Sequence, residues 1–252
     1  MKYHIDCEIH MHTLASGHAY GSPREMAQAA SEMGLKLIGL SDHGPGVVGT
    51  CSHVFFGCYD RMCRNVHGVE ILGGAELNIM NDGSINFPEH YFNYLDYAIV
   101  GLHPPIYVDE GAERNTDNTI AAMKNPKVFF VSHPDSDRLP YNYERLVPAA
   151  KENGVALEVN TSSLRAPHKR PGCVENYKKM LTLCMEHRCP IVVSTDSHDP
   201  CEVGHFEESL ALLEELNFDE ELIVNTSVEK LKAFIGKKIE KKLFPYGLNV
   251  LK

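Results

Sequence analysis

The sequence predicts an α/β protein whose parallel strands close into a barrel of seven β/α units. Three observations predict it. Seven short apolar runs of strand length recur along the 252 residues, separated by helical patterns or connections. Their spacing is roughly 30 residues, the size of a βαβ unit, and so many units favour closure over an open sheet. No Gly-x-Gly-x-x-Gly turn follows the first run, which counts against a dinucleotide-binding sheet. No break in composition and no Pro/Ser-rich linker divides the chain, so residues 1–252 read as one domain, with about 236–252 as a basic, partly apolar tail.

The first run, His4 to Ile9, ends in His10-Met11-His12, and His18 follows. Ser22-Pro23-Arg24-Glu25 reads as a helix start with a capping box, and Gly34 as its stop. Leu35 to Leu40 is the second strand, ending in Ser41-Asp42-His43. The stretch from Gly44 to Gly68 is a long connection of the kind used as lids or binding loops, with a short helix expected around Asp60 to Val66. Val69 to Ala75 is a strand ending in Glu76, and Asn81-Asp82-Gly83-Ser84 is a tight turn. Leu95 to Leu102 ends in His103, and a helix is expected near Thr116 to Lys124. Lys127 to Val131 ends in Ser132-His133-Pro134, and a helix from about Tyr143 to Asn153 stops at Gly154. Val155 to Asn160 is the sixth strand. A helix from about Val174 to His187 leads to the seventh, Pro190 to Thr195, which ends in Asp196-Ser197-His198. The last helices fall near Phe206 to Leu216 and Val228 to Ile235, with Ser227 capping the latter.

A hydrophobic content of 43% fits a globular chain with a real core. No apolar run is long enough to span a membrane, and the first residues lack a signal-peptide core, so the cytoplasm is the expected compartment. Eight cysteines without a Cys-x-x-Cys pair read as reduced thiols rather than a disulfide framework. The net charge of −10 counts against nucleic acid as a partner.

Six of the seven strands end in a side chain able to bind a metal: His10 and His12, His43, Glu76, His103, His133, and Asp196 with His198. In a β/α barrel all strand C-termini share one face, so these residues would converge on one mouth. Singly, each has an ordinary reading: His43 as a turn residue, Glu76 as a surface carboxylate, His133 as a core imidazole. Their joint placement points to metal. With His18 there are nine candidate ligands, too many for one ion, because a catalytic zinc takes about three protein ligands and keeps an open position. Three divalent ions with one bridging carboxylate fit the number. Seven imidazoles and two carboxylates suit Zn²⁺, Mn²⁺ or Fe better than Mg²⁺ or Ca²⁺. Such ions would leave a charge of about +4 in the mouth after Glu76 and Asp196 are counted, which attracts a phosphate dianion. Hydrolysis of a phosphoester by a metal-activated hydroxide is the chemistry that follows.

The motifs His10-Met11-His12, Asp42-His43, Glu76, His103, Ser132-His133-Pro134 and Asp196-Ser197-His198 resemble those of the PHP (polymerase and histidinol phosphatase) superfamily. With Leu157-Glu158-Val159-Asn160 and Phe206-Glu207-Glu208, the spacing of the whole chain is similar to the YcdX-type phosphatases. The resemblance covers residues 1 to about 235. It implies a distorted (β/α)₇ barrel, a trinuclear centre that is usually zinc, and phosphatase activity on a small phosphorylated metabolite. It implies one metal held by His10, His12, Glu76 and Asp196, a second by Glu76, His103 and His133, and a third by His18, His43 and His198. Related phosphatases form trimers, so a homotrimer is an assembly open to this chain.

Glu76 and Asp196 would be the catalytic carboxylates at the reacting centre. Arg165, His168, Lys169 and Arg170 follow the sixth strand on the same face and could grip phosphate, or form a solvated basic loop. Two other functions remain open to the sequence. One is a phosphodiesterase acting on nucleic acid; the other is a non-enzymatic metal-binding protein whose ligands fill every coordination position.

Overall fold

The structure is a computed structural model, and it describes residues 2–236. The basic tail from 237 lies outside the described residues. In chain order, β1 (Cys7–Glu8) leads to α1 (Pro23–Glu32) and β2 (Leu37–Leu40). A long connection then carries the one-turn α2 (His53–Phe56) and β3 (Asn65–Val66) before β4 (Val69–Asn78). Next come β5 (Tyr97–Gly101), α3 (Ala112–Met123), β6 (Val128–Val131), α4 (Tyr143–Glu152) and β7 (Ala156–Asn160). The chain continues through α5 (Thr161–Arg165), α6 (Cys173–His187), β8 (Ile191–Ser194), α7 (Glu207–Glu215) and α8 (Val228–Gly236).

Seven strands pair in parallel in the order β1-β2-β4-β5-β6-β7-β8, the sheet expected from the run of β/α units. Side chains alternate along these strands, and the alternation splits the apolar core in two. Cys7, Leu37, Leu72, Ile99, Ala156 and Val192 pack with Phe234 and Ile235 of α8 inside the barrel. Ile38, Ile71, Val100, Leu157 and Val193 pack with residues of α1, α4 and α6 on the outside. Tyr97 crosses the interior from β5 and donates its hydroxyl to the Ile9 carbonyl at 2.6 Å. Gly39 and Gly74 leave room for that ring, since a Cβ on either would stand 2.1 or 2.3 Å from it.

The sheet is nearly closed rather than closed by a ladder. Between β1 and β8 the backbone makes a single parallel bridge, Met11 to Ser197, with His12 N–H on the Ser197 carbonyl at 2.8 Å. Deeper in the seam stands the buried Asn225. Its amide donates to the carbonyls of Cys7 and Val193, both at 2.7 Å, and accepts from Val193 N–H at 3.2 Å. One side chain thus supplies the hydrogen bonds that a strand pair would. Asn225→Ala leaves three backbone groups of the seam without partners and is expected to cost about 3 kcal/mol. Urea unfolding measures it, and a loss below about 0.5 kcal/mol would show that the seam does not depend on this amide.

Local signals explain most of the elements. Ser22 and Glu25 form the expected capping box on α1. Asn142 caps α4, and Ser227 accepts from Lys230 N–H at the start of α8. The structure also corrects several boundaries. β1 has two residues in place of a run from His4, and α3 begins at Ala112, after Gly111, four residues before the expected start. β4 runs through Glu76 to Asn78, so Glu76 lies within a strand and not beyond its end. No helix spans Asp60 to Val66: β3 pairs antiparallel with β4, Val66 opposite Val69. His67 and Gly68, with φ of 54° and 81°, make the tight turn between them, the two-residue hairpin geometry that needs positive φ at both positions.

Candidate metal centre

The structure brings the nine expected ligand residues together at the C-terminal end of the parallel strands. Glu76 is at the centre, fully buried. Its Oε1 lies 3.0 Å from Nε2 of His103 and 3.0 Å from Nε2 of His133. Its Oε2 lies 2.9 Å from Nδ1 of His43, 3.4 Å from Nε2 of His10 and 3.5 Å from Nε2 of His12. Asp196 Oδ1 approaches Nε2 of His12 at 3.1 Å and of His10 at 3.5 Å. The His18 ring stands 5.1 Å from that of His43 and 4.9 Å from that of His198. Three groupings could each hold an ion: His10, His12 and Glu76; His43, Glu76 and His103; His12, His43 and His198.

The surroundings fix which ring nitrogen four of the imidazoles offer. His10 Nδ1–H donates to Glu158 at 2.6 Å, and His12 Nδ1–H to Ser16 Oγ at 2.9 Å. Ser16 in turn donates to Asp42, which also accepts from the backbone and hydroxyl of Thr13. His103 Nδ1–H donates to Asn78 at 2.9 Å, and His198 Nδ1–H to the Asp196 carbonyl at 2.9 Å. Four imidazoles are thereby anchored through Nδ1 and present a bare Nε2, the usual arrangement of metal-binding histidines. Two ligand candidates sit in left-handed backbone, His133 at φ 29° and Asp196 at φ 55°, a conformation that persists only where its surroundings enforce it. For His133 the enforcement is visible. Its N–H donates to Glu158 at 2.6 Å, and its carbonyl accepts from Arg170 at 2.7 Å.

A set of cations fits this arrangement. Nε2 of His10 and of His12 lie 3.2 Å apart, facing one another. Nδ1 of His43 and Oε2 of Glu76, though 2.9 Å apart, are both buried and make no well-directed hydrogen bond among the described residues. Burial opposes a charge on Glu76 and Asp196, yet the surrounding imidazoles hold both carboxyls well below their usual range. Burial and the adjacent His43 push His12 down to about 3. Burial also opposes a charge on His10, but Glu158, Glu76 and Asp196 outweigh it and raise its pKa well above the ordinary value. The carboxylates around His10 thus make this a place where positive charge is favoured.

Glu158 was not assigned a role from the sequence, and it proves central to the site's second layer. It accepts from His10, from the His133 backbone, from Ser194 Oγ and, at 3.3 Å, from Asn160. Asn160 also reaches Asp196 at 3.2 Å and caps α5. Of the basic residues expected to grip phosphate, Arg165 pairs with Glu208 at 3.2 Å and donates to the His205 carbonyl. Arg170 holds Asp135 at 2.6 Å as well as the His133 carbonyl. Lys169 and His168 are exposed.

The match to known proteins runs the length of the chain. The PHP domain family model matches residues 8–240. A probable phosphatase of Acetivibrio thermocellus is 38% identical over 242 residues, covering 96% of this chain and 98% of that protein. A probable phosphatase of Caldanaerobacter subterraneus subsp. tengcongensis is 38% identical over 240 residues, 94% of each chain. Among solved structures, the histidinol phosphate phosphatase of Lactococcus lactis, complexed with zinc, L-histidinol and phosphate, superposes with a TM-score of 0.59 at 16% identity, over 85% of this chain and 94% of its own. A chain in the structure of archaeal ribonuclease P with mature tRNA gives 0.60 at 14% identity, over 98% of both. At such identities the structural likeness speaks for the fold alone. The family-model match and the full-length relatives together show that the chain belongs to the PHP domain family.

Proposed function

We propose that this phosphoester hydrolase acts on a small phosphomonoester at a centre of three divalent ions, zinc foremost. The observation that carries the reading is Glu76: one buried carboxylate with two imidazoles against one oxygen and three against the other. That is the disposition of a bridging ligand. In this reading His10, His12, Glu76 and Asp196 hold one ion, Glu76, His103 and His133 a second, and His18, His43 and His198 a third. When bound, such ions make water a nucleophile at neutral pH and offset phosphate charge.

The chain's own residues supply the rest. Glu158, Ser16 and Asn78 lock the imidazoles in the tautomer that faces inward. Glu76 and Asp196 stay ionised and balance part of the positive charge. The barrel wall keeps Glu76 and His10 out of bulk water, which strengthens every electrostatic interaction there. The net charge of −10 counts against a nucleic-acid substrate. All eight cysteines are free thiols, and among the described residues no helix is long and apolar enough to cross a membrane. The free thiols fit the cytoplasm, where this reading puts the protein.

The test is elemental analysis of the purified protein beside turnover of p-nitrophenyl phosphate. The expected result is about three ions per chain, with activity lost on chelation and restored by zinc, since catalytic sites keep about three protein ligands per ion. Activity indifferent to complete chelation would refute the metal-dependent reading.

A further inference from the structure

Beside His133 the surface opens into a cavity of about 110 Å³. This is room for several water-sized groups. Leu102 and Pro104, after β5, form one wall. Ser132, Ser136 and Arg138, after β6, form the second, and Lys169 and Arg170, after β7, the third. His133 lines the cavity with its ring against Glu76, so the space adjoins the centre on the side of the pair His103 and His133. Gly101 makes room for the side chains on that side: a Cβ there would stand 2.2 Å from Ser132 Oγ and 2.9 Å from the His103 ring.

The charge of the lining is unlike that of the chain. Acidic residues outnumber basic ones 34 to 24 overall, yet three cations and no carboxylate line this cavity. One of the three is already matched, because Arg170 is paired with the buried Asp135. Arg138 and Lys169 make no ion pair among the described residues and are exposed at the mouth. Two unpaired cations at a small cleft beside the proposed metal centre favour the binding of an anion.

We propose that this cavity receives the leaving group of the substrate, and that the leaving group carries an anionic group of its own, a carboxylate or a second phosphate. The inference rests on the phosphomonoesterase reading above and names the substrate class within it. Arg138 and Lys169 set the preference, whereas Arg170 serves to hold His133. A cationic leaving group such as L-histidinol is disfavoured by the same two charges.

The experiment compares kcat/KM of the metal-loaded protein for glycerol 3-phosphate, 3-phosphoglycerate, fructose 1,6-bisphosphate and histidinol phosphate, with p-nitrophenyl phosphate as the baseline. One or both of the anionic substrates is expected to exceed glycerol 3-phosphate by at least about 10-fold, the effect of one good charge contact. The pair of anions separates a carboxylate from a phosphate as the preferred group. In the double variant Arg138→Gln, Lys169→Gln that ratio is expected to fall toward one. A flat ratio in the wild type, a ratio that survives in the variant, or histidinol phosphate equalling the anionic substrates would each overturn the subsite while leaving the hydrolase reading intact. Absence of turnover with p-nitrophenyl phosphate would overturn both.

Discussion

Glu76→Ala is expected to lower kcat/KM by about 10³-fold, the scale on which removal of one preorganised electrostatic group acts. Each oxygen of this carboxylate serves a different cluster of imidazoles, so its loss divides the centre in two. The variant also leaves His10, His43, His103 and His133 facing one another with no anion between them. Without that negative charge to offset theirs, divalent ions bind more weakly, and the ion content per chain is expected to drop with the activity. Glu76→Gln separates volume from charge, because it fills the same space but offers a single acceptor. It is expected to resemble the alanine variant in metal content. Elemental analysis and steady-state kinetics on the same samples measure both. Full metal occupancy with full activity in Glu76→Ala would remove the bridging role altogether.

Glu158→Gln is expected to weaken metal binding by about 10- to 100-fold without unfolding the protein, the range found when a partner behind a metal-binding histidine is changed. Glu158 accepts from four donors at once, and a neutral amide accepts through one atom only. The substituted amide nitrogen would face either the Nδ1 proton of His10 or the backbone N–H of His133, and whichever it meets loses its partner. His10 is then free to rotate or change tautomer, and His133 loses one of the contacts that hold its left-handed backbone. Zinc titration against a chromophoric chelator gives the affinity, and circular dichroism checks the fold. Unchanged affinity would make Glu158 a core residue with no bearing on the centre.

Much of this was readable from the chain. Parallel strands covered on both faces appear as unbroken apolar runs, so Leu37–Leu40, Val128–Val131 and Ile191–Ser194 declared themselves, and each is followed by a histidine or an acid. The convergence of these residues on one mouth was legible because imidazoles and acids recur at strand ends. The second layer was not, since its members interrupt no pattern at their own position. Glu158 looks like an ordinary alternation in Ala-Leu-Glu-Val-Asn until the strand is known to be buried on both faces. A carboxylate inside such a run does carry a signal, because it must find hydrogen-bond donors or be costly to bury. The connection from 44 to 68 misled for a different reason. Asp60 to Val66 has helix-compatible composition, but His67-Gly68 supplies the backbone of a hairpin turn, and pairing with β4 overrides local preference.

The seam between β1 and β8 has a consequence for how the protein matures. His10 and His12 follow the first strand and Asp196 and His198 the last, and the Met11–Ser197 bridge joins the two segments. A chain still being synthesised has its opening imidazoles long before their counterparts leave the ribosome. Under the proposed ligand assignment, stable loading with metal would therefore be a late event, coincident with closure of the barrel, and ions captured earlier would be held by only part of the cage.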